Sequence, residues 1–231
     1  MKKKKQLFIS TLLLIQLVLL ILVGCQKQGM HFDEYYSYFT TNNSDGRIVN
    51  DRQWLSGGDM KKDFFVQEGE QFHYGKVIEL QSYDVHPPVF YLLLHTVCSL
   101  TPGIYSIWQG LALNILYALI TTVFLYLILE KLTRNQWASF FVSLVCITNP
   151  GVISNVMFIR MYMLLTMWMV LAIWLHLGMG EKWHWKFFVL NGALAYVGFL
   201  THYYYLVFLF FLEAAYWLFR LKTERASHTK A

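Results

Sequence analysis

Nineteen consecutive uncharged residues, Leu7 to Cys25, follow almost directly on Lys2-Lys3-Lys4-Lys5. At ~1.5 Å per helical residue the run reaches roughly across the hydrocarbon core of a bilayer, so it reads as a membrane span. This constrains the rest of the chain, because lipid tolerates only backbone whose polar groups are satisfied internally. Lys and Arg favour the cytoplasmic side, so the Lys cluster predicts a cytoplasmic N-terminus and places the residues after Cys25 outside. The composition agrees: 56% hydrophobic and only 14% charged residues do not suit a soluble domain. A net charge of +5 would suit nucleic acid, but the positive residues sit at the termini and in connectors. They read as topology signals, and no nucleic-acid partner is expected. Cys25, Cys98 and Cys146 lie in apolar surroundings and are odd in number, which predicts neither a disulfide framework nor a metal-ligand spacing. A competing reading takes Leu22-Val23-Gly24-Cys25 as a lipoprotein signal with Cys25 lipidated after cleavage. The run is long enough to span uncleaved and further spans follow, which favours the membrane helix.

Residues 26–103 form the expected extracytoplasmic loop. Between 26 and 86 it carries ten acidic residues against six basic ones, with turn signals at Asn42-Asn43-Ser44-Asp45-Gly46 and Ser56-Gly57-Gly58-Asp59. Aromatic residues near both ends, Tyr35, Tyr36 and Tyr38 and then Phe72, Tyr74 and Tyr83, suit helices lying on the membrane surface. From Pro88 to Leu100 a helix would cover ~20 Å, too short to cross, so it is expected to return to the outside. Residues 104–220 then predict five further spans, each inner connector carrying Lys or Arg, with 221–231 as a cytoplasmic tail. Asn149-Pro150-Gly151 should break or kink one of these spans at its outer end. The expectation is an all-α, polytopic membrane bundle of about six spans with surface helices, both termini cytoplasmic, in the cell membrane. No internal repeat is visible.

This topology gathers Asp33-Glu34, Asp84-Val85-His86-Pro87-Pro88, Arg160-Met161-Tyr162 and Thr201-His202-Tyr203 at the outer boundary. Taken singly each is ordinary: a solvated acidic patch, a turn, a snorkelling arginine, a helix cap. Taken together and in this order, they resemble the membrane glycosyltransferases of the protein O-mannosyltransferase type. Within that GT-C superfamily the chain is similar to the bacterial family 39 branch, related to aminoarabinose and lipopolysaccharide galacturonosyltransferases. The resemblance spans roughly His31 to Phe210.

It implies a sugar donor carried on polyprenyl phosphate, an acceptor glycan, lipid or protein, and inversion at the anomeric carbon. Asp33 would be the base that deprotonates the acceptor hydroxyl, and Glu34 would position the acceptor or bind a metal. Arg160, His86 and His202 would bind the donor phosphate, and Asp84, Tyr162 and Tyr203 the substrate. A helix broken near Asn149 would leave room for a lipid-borne head group. Metal use stays open, with a divalent cation as the candidate, since the scattered His and carboxylate residues show no compact spacing. Relatives of this type are generally longer, so a short form, a truncated gene, or a partner chain supplying missing helices is also implied. The runner-up is a transporter, for which Glu213, Gln109 and Asn114 are the polar residues within spans. A non-catalytic accessory protein that binds polyprenyl phosphate is a third reading.

Overall fold

In the first helix, a residue buried at every fourth position marks the face turned toward the protein. The computed structural model describes residues 2–43, 54, 56–179 and 185–228. The expected turn at 44–46, most of the connector 181–186 and the last three residues lie outside them. Along α1 (Lys2–Cys25), Phe8, Leu12, Gln16, Leu20 and Gly24 are buried, whereas Leu7, Leu14, Val18 and Leu22 are exposed. Such a stripe fits a helix that packs lengthwise on its neighbour.

Four short helices follow: α2 (Phe32–Asn42), α3 (Gly57–Lys62), α4 (Tyr74–Gln81) and α5 (Val89–Ser99). With 11 residues α5 is too short to cross a bilayer, and it packs on α2, α4 and α6 (Ile107–Thr133). The long α6 is the partner of α1. Lys5 pairs with Glu130 at one end, the Thr122 hydroxyl donates to Gln16 midway (2.7 Å), and Gly24 lies against the Trp108 ring at the other.

The chain returns through α7 (Gln136–Ile147) and α8 (Pro150–Met157), bent by 55° between them. The cause is local. Asn149 accepts the Gly151 N–H (2.8 Å) and Pro150 stands at the first helical position, so a new helix starts where the old one stops. The remaining helices are α9 (Tyr162–Met179), α10 (Trp185–Phe199) and α11 (Tyr204–His228). Residues 221–228, set apart above as a tail, continue α11 as helix.

Among the described residues there are eleven helices and no strand, so the all-α membrane bundle expected from the sequence is the fold. Six apolar units, with α7 and α8 counted as one, make up the bundle. Three of them, Lys2–Cys25, Ile107–Thr133 and Tyr204–Lys222, are long and apolar enough to cross unaided, and the bent pair makes a fourth. The units α9 and α10, with 18 and 15 residues, are shorter.

The turn between α8 and α9 is held from two sides. Asn114 on α6 donates to the carbonyls of Val156 (3.0 Å) and Phe158 (2.8 Å), and the Ile159 N–H donates to Glu34 on α2 (2.7 Å). Gly110 makes this approach feasible, because a Cβ there would overlap the Ile159 side chain. Gly110→Ala is therefore expected to destabilise the fold by about 1–3 kcal/mol, as overpacking does. Thermal unfolding of the detergent-solubilised protein should show a lower midpoint for this variant. Gly192→Ala, where nothing lies within 4 Å, should not lower it.

Candidate functional site

Helix α2 starts with a capping box. The His31 ring accepts the Asp33 N–H (3.1 Å), and Glu34 reaches back to accept the His31 N–H (2.6 Å). Adjacent residues on a helix point ~100° apart, so one carboxylate of the pair turns inward and the other outward. Glu34 is the inward one and is fully buried. Its Oε2 also accepts from Lys27 (3.0 Å) and its Oε1 accepts the Ile159 N–H (2.7 Å). Asp33 keeps a side chain 48% exposed, with its carboxylate 3.7 Å from the His31 ring.

Arg160 follows Ile159 in the same turn and is only 4% exposed. Its Nη1 donates to the Asp33 carbonyl (3.2 Å), with the Tyr91 hydroxyl at 3.4 Å and the Ser37 hydroxyl at 3.5 Å. Its Nη2 meets His86 Nε2 at 3.2 Å. A guanidinium only donates, so His86 Nε2 accepts, and the ring proton sits on Nδ1, facing the Asp84 carboxylate at 3.3 Å. Tyr91 also reaches Asp84 (3.5 Å), and burial pushes its phenol pKa up, partly offset by the Arg160 charge. Among the described residues the Arg160 Nε has no partner. Among the described residues no carboxylate lies within ion-pair distance of Arg160.

His202 reaches this cluster from the start of α11. The Val89 N–H donates to the Leu200 carbonyl (3.1 Å), tying the start of α5 to the end of α10. The His202 ring centre then lies 6.0 Å from that of His86 and 5.7 Å from that of Tyr162. Its Nδ1 accepts the Tyr204 N–H (3.1 Å). Burial first, with the Arg160 charge adding to it, pushes its pKa below the usual imidazole value.

Of the residues picked from the sequence, Asp33, Asp84, His86, Arg160, Tyr162 and His202 come together at one end of the bundle. Glu34 lies beside them with both oxygens engaged. Tyr203 points elsewhere, 51% exposed and packed on Phe199 (5.3 Å). Sequence reasoning did not single out Ser37, Tyr91, Lys27 or Phe158. Ser37 was within reach, one helical turn after Asp33, whereas nothing local marks the other three. Beside the break between α7 and α8 lies a cleft of about 440 Å³ whose lining includes Lys27, His31, Ser154, Asn155, Met157 and Phe158. Among the described residues no three His, Cys, Asp or Glu side chains converge to hold a metal ion.

A family model described as dolichyl-phosphate-mannose-protein mannosyltransferase matches residues 85–230, more than half of the chain. The chain belongs to this family. It is a membrane glycosyltransferase of the GT-C type. No curated protein and no solved structure matches it. The matched stretch contains His86, Tyr91, Arg160, Tyr162 and His202, while Asp33 and Glu34 are joined to it by the contacts just described.

The polar residues that would serve a transport pathway are engaged in holding the bundle. Gln109 accepts the Ser106 N–H (3.1 Å) and donates to Thr101 (2.8 Å), Asn114 holds the α8–α9 turn, and Glu213 meets His176 (3.2 Å) and Asn191.

Because the His202 pKa is lowered from 6.5, the unfolded chain binds more protons than the folded one below that pH. The stability tied to a neutral His202 is thus present above about pH 6.5 and is lost as pH falls toward its folded value. The thermal midpoint should drop between pH 7 and pH 5. His202→Asn, which keeps an acceptor for the Tyr204 N–H, should remove part of that drop. His95, whose pKa burial also lowers, would account for some of the rest.

Proposed function

We propose that the protein transfers a sugar from a polyprenyl-phosphate donor to an acceptor hydroxyl at the extracytoplasmic membrane surface. The observation that carries this reading is Arg160, a buried guanidinium that among the described residues has no carboxylate in contact and an unused Nε. Burying an unpaired charge costs several kcal/mol, and an anion arriving beside it offsets that cost. A lipid phosphate is such an anion. His86 and His202 border the approach, and Tyr162 and Asp84 stand next to them.

In this reading the acceptor oxygen attacks the anomeric carbon while the Asp33 carboxylate takes its proton. The bond from that carbon to the phosphate oxygen breaks with its electron pair leaving on the phosphate, so a single displacement inverts the centre. Arg160 stabilises the charge that develops there, in a site where its geometry is already set. Glu34 acts as a positioning residue: it fixes the first turn of α2, which carries Asp33, and the turn that carries Arg160. The opposite end of the bundle carries Lys2 to Lys5, Lys131 and Arg134, which by the positive-inside rule supports an extracytoplasmic site and a cytoplasmic N-terminus. The acceptor is a glycan, lipid or protein hydroxyl.

The test uses purified protein in nanodiscs, polyprenyl-phosphate sugars of several types and the release of polyprenyl phosphate as readout. Asp33→Asn should lower kcat by about 10²–10⁴-fold, the usual share of a general base, with little change in donor binding. Arg160→Lys keeps the charge but loses the planar fork, and should raise the donor KM and lower kcat together. Undiminished turnover by Asp33→Asn would remove it as base.

A further inference from the structure

We infer that the cleft at the break between α7 and α8 is the acceptor subsite and that it takes an uncharged sugar. This rests on the transfer reading for the word acceptor, but the sugar site stands on the chemistry of the cleft wall. The sequence suggested a lipid-borne head group at this break. The lining argues otherwise, because its cation is already committed: Lys27 lies 3.0 Å from the Glu34 carboxylate, so the wall offers no uncompensated charge to a phosphate.

What the wall does offer is neutral. Among the described residues the Ser154 hydroxyl has no partner, and Asn155 has only a 3.7 Å contact from its amide nitrogen to Met163 Sδ, leaving its carbonyl oxygen free. His31 uses Nδ1 to accept the Asp33 N–H, so in its neutral form Nε2 carries the proton and can donate. Phe158 stacks one face on Tyr162, with ring centres 6.0 Å apart and 12° between planes, and meets the edge of His31 at 5.4 Å. Donors, acceptors and an aromatic ring in 440 Å³ suit a pyranose, whose hydroxyls pair with the polar groups and whose C–H face packs on a ring. A purely apolar ligand would strand Ser154 and Asn155 without partners.

Position gives the site its role. Asp33 lies between the two regions: its carbonyl accepts from Arg160 and its carboxylate lies against His31, which lines the cleft. From the cleft a row of rings, Phe158, Tyr162 and His202, leads to His86. A hydroxyl of a sugar in the cleft is thereby brought to the base, while the phosphate is held near Arg160.

The test compares wild type with Ser154→Ala/Asn155→Ala, a double variant on α8 that removes no bond of the fold beyond the long contact to Met163. Three quantities are measured: saturation-transfer NMR with methyl mannoside, methyl glucoside and methyl galactoside; donor hydrolysis by water without acceptor; and transfer to a glycoside acceptor. The expected result is saturation transfer to at least one glycoside in wild type, lost in the variant. The acceptor KM should rise by about tenfold or more, as two lost hydrogen bonds imply, with donor hydrolysis unchanged. Equal saturation transfer in both proteins, or none in wild type, would overturn the sugar site. A parallel fall in donor hydrolysis would overturn the acceptor assignment and give the cleft to the donor. Glycoside binding lost in the variant, with wild type neither hydrolysing nor transferring any donor, would leave the sugar site standing and defeat the transfer reading instead.

Discussion

The buried carboxylate of Glu34 is the interaction on which the arrangement of the site depends. Fully removed from water, it receives two backbone N–H groups, from His31 and Ile159, and the ammonium of Lys27. Two of those donors, Lys27 and His31, come from the segment between α1 and α2, and the third from the α8–α9 turn. Removing one partner of a buried, hydrogen-bonded charge is expensive, so both segments are held to the first turn of α2, which carries Glu34. Arg160 sits one residue beyond the Ile159 anchor, and Asp33 one residue before Glu34. Their mutual position is therefore inherited from an interaction that neither of them makes.

Satisfaction and its absence divide the charges of this region. Glu34 is compensated on every side, whereas Arg160 is held by a carbonyl, two hydroxyls and a neutral imidazole, none of which cancels its charge. Asp84 is linked to it through His86 and Tyr91, which both contact that acid. A positive field is thus maintained inside the protein. The lowered pKa of His202 comes first from burial, and the Arg160 charge adds to it.

Polar residues inside the apolar helices serve a different end. Gln16 with Thr122 joins α1 to α6, Asn114 joins α6 to the α8–α9 turn, and Glu213 with His176 and Asn191 joins α9, α10 and α11. In lipid, apolar contact alone distinguishes poorly between neighbouring helices, so hydrogen bonds of this kind help to select pairing and register. Ionisable character within a span is accordingly weak evidence for transport here, because each such group is accounted for by a helix beside it.

How far the chain could be read without coordinates follows from the range of the forces involved. The Lys cluster and the uncharged run marked α1, Asn149-Pro150-Gly151 marked the broken helix, and the shortness of the segment after Pro88 marked α5 as unable to cross. All of these are local statements about length, backbone freedom and transfer to lipid. The parity of the crossings then sufficed to bring Asp33, Asp84, His86, Arg160 and His202 to one end. Tertiary packing alone decided which carboxylate of Asp33-Glu34 turned inward, that Arg160 had no acid against it, that Tyr91 and Ser37 joined the cluster while Tyr203 did not, and that Lys27 was neutralised within the cleft. Those outcomes depend on the rotation of each helix about its axis. That rotation is set by contacts such as Gly110 with Ile159 and Asn114 with Phe158, made between residues far apart along the chain, where no pattern in the order of amino acids records them.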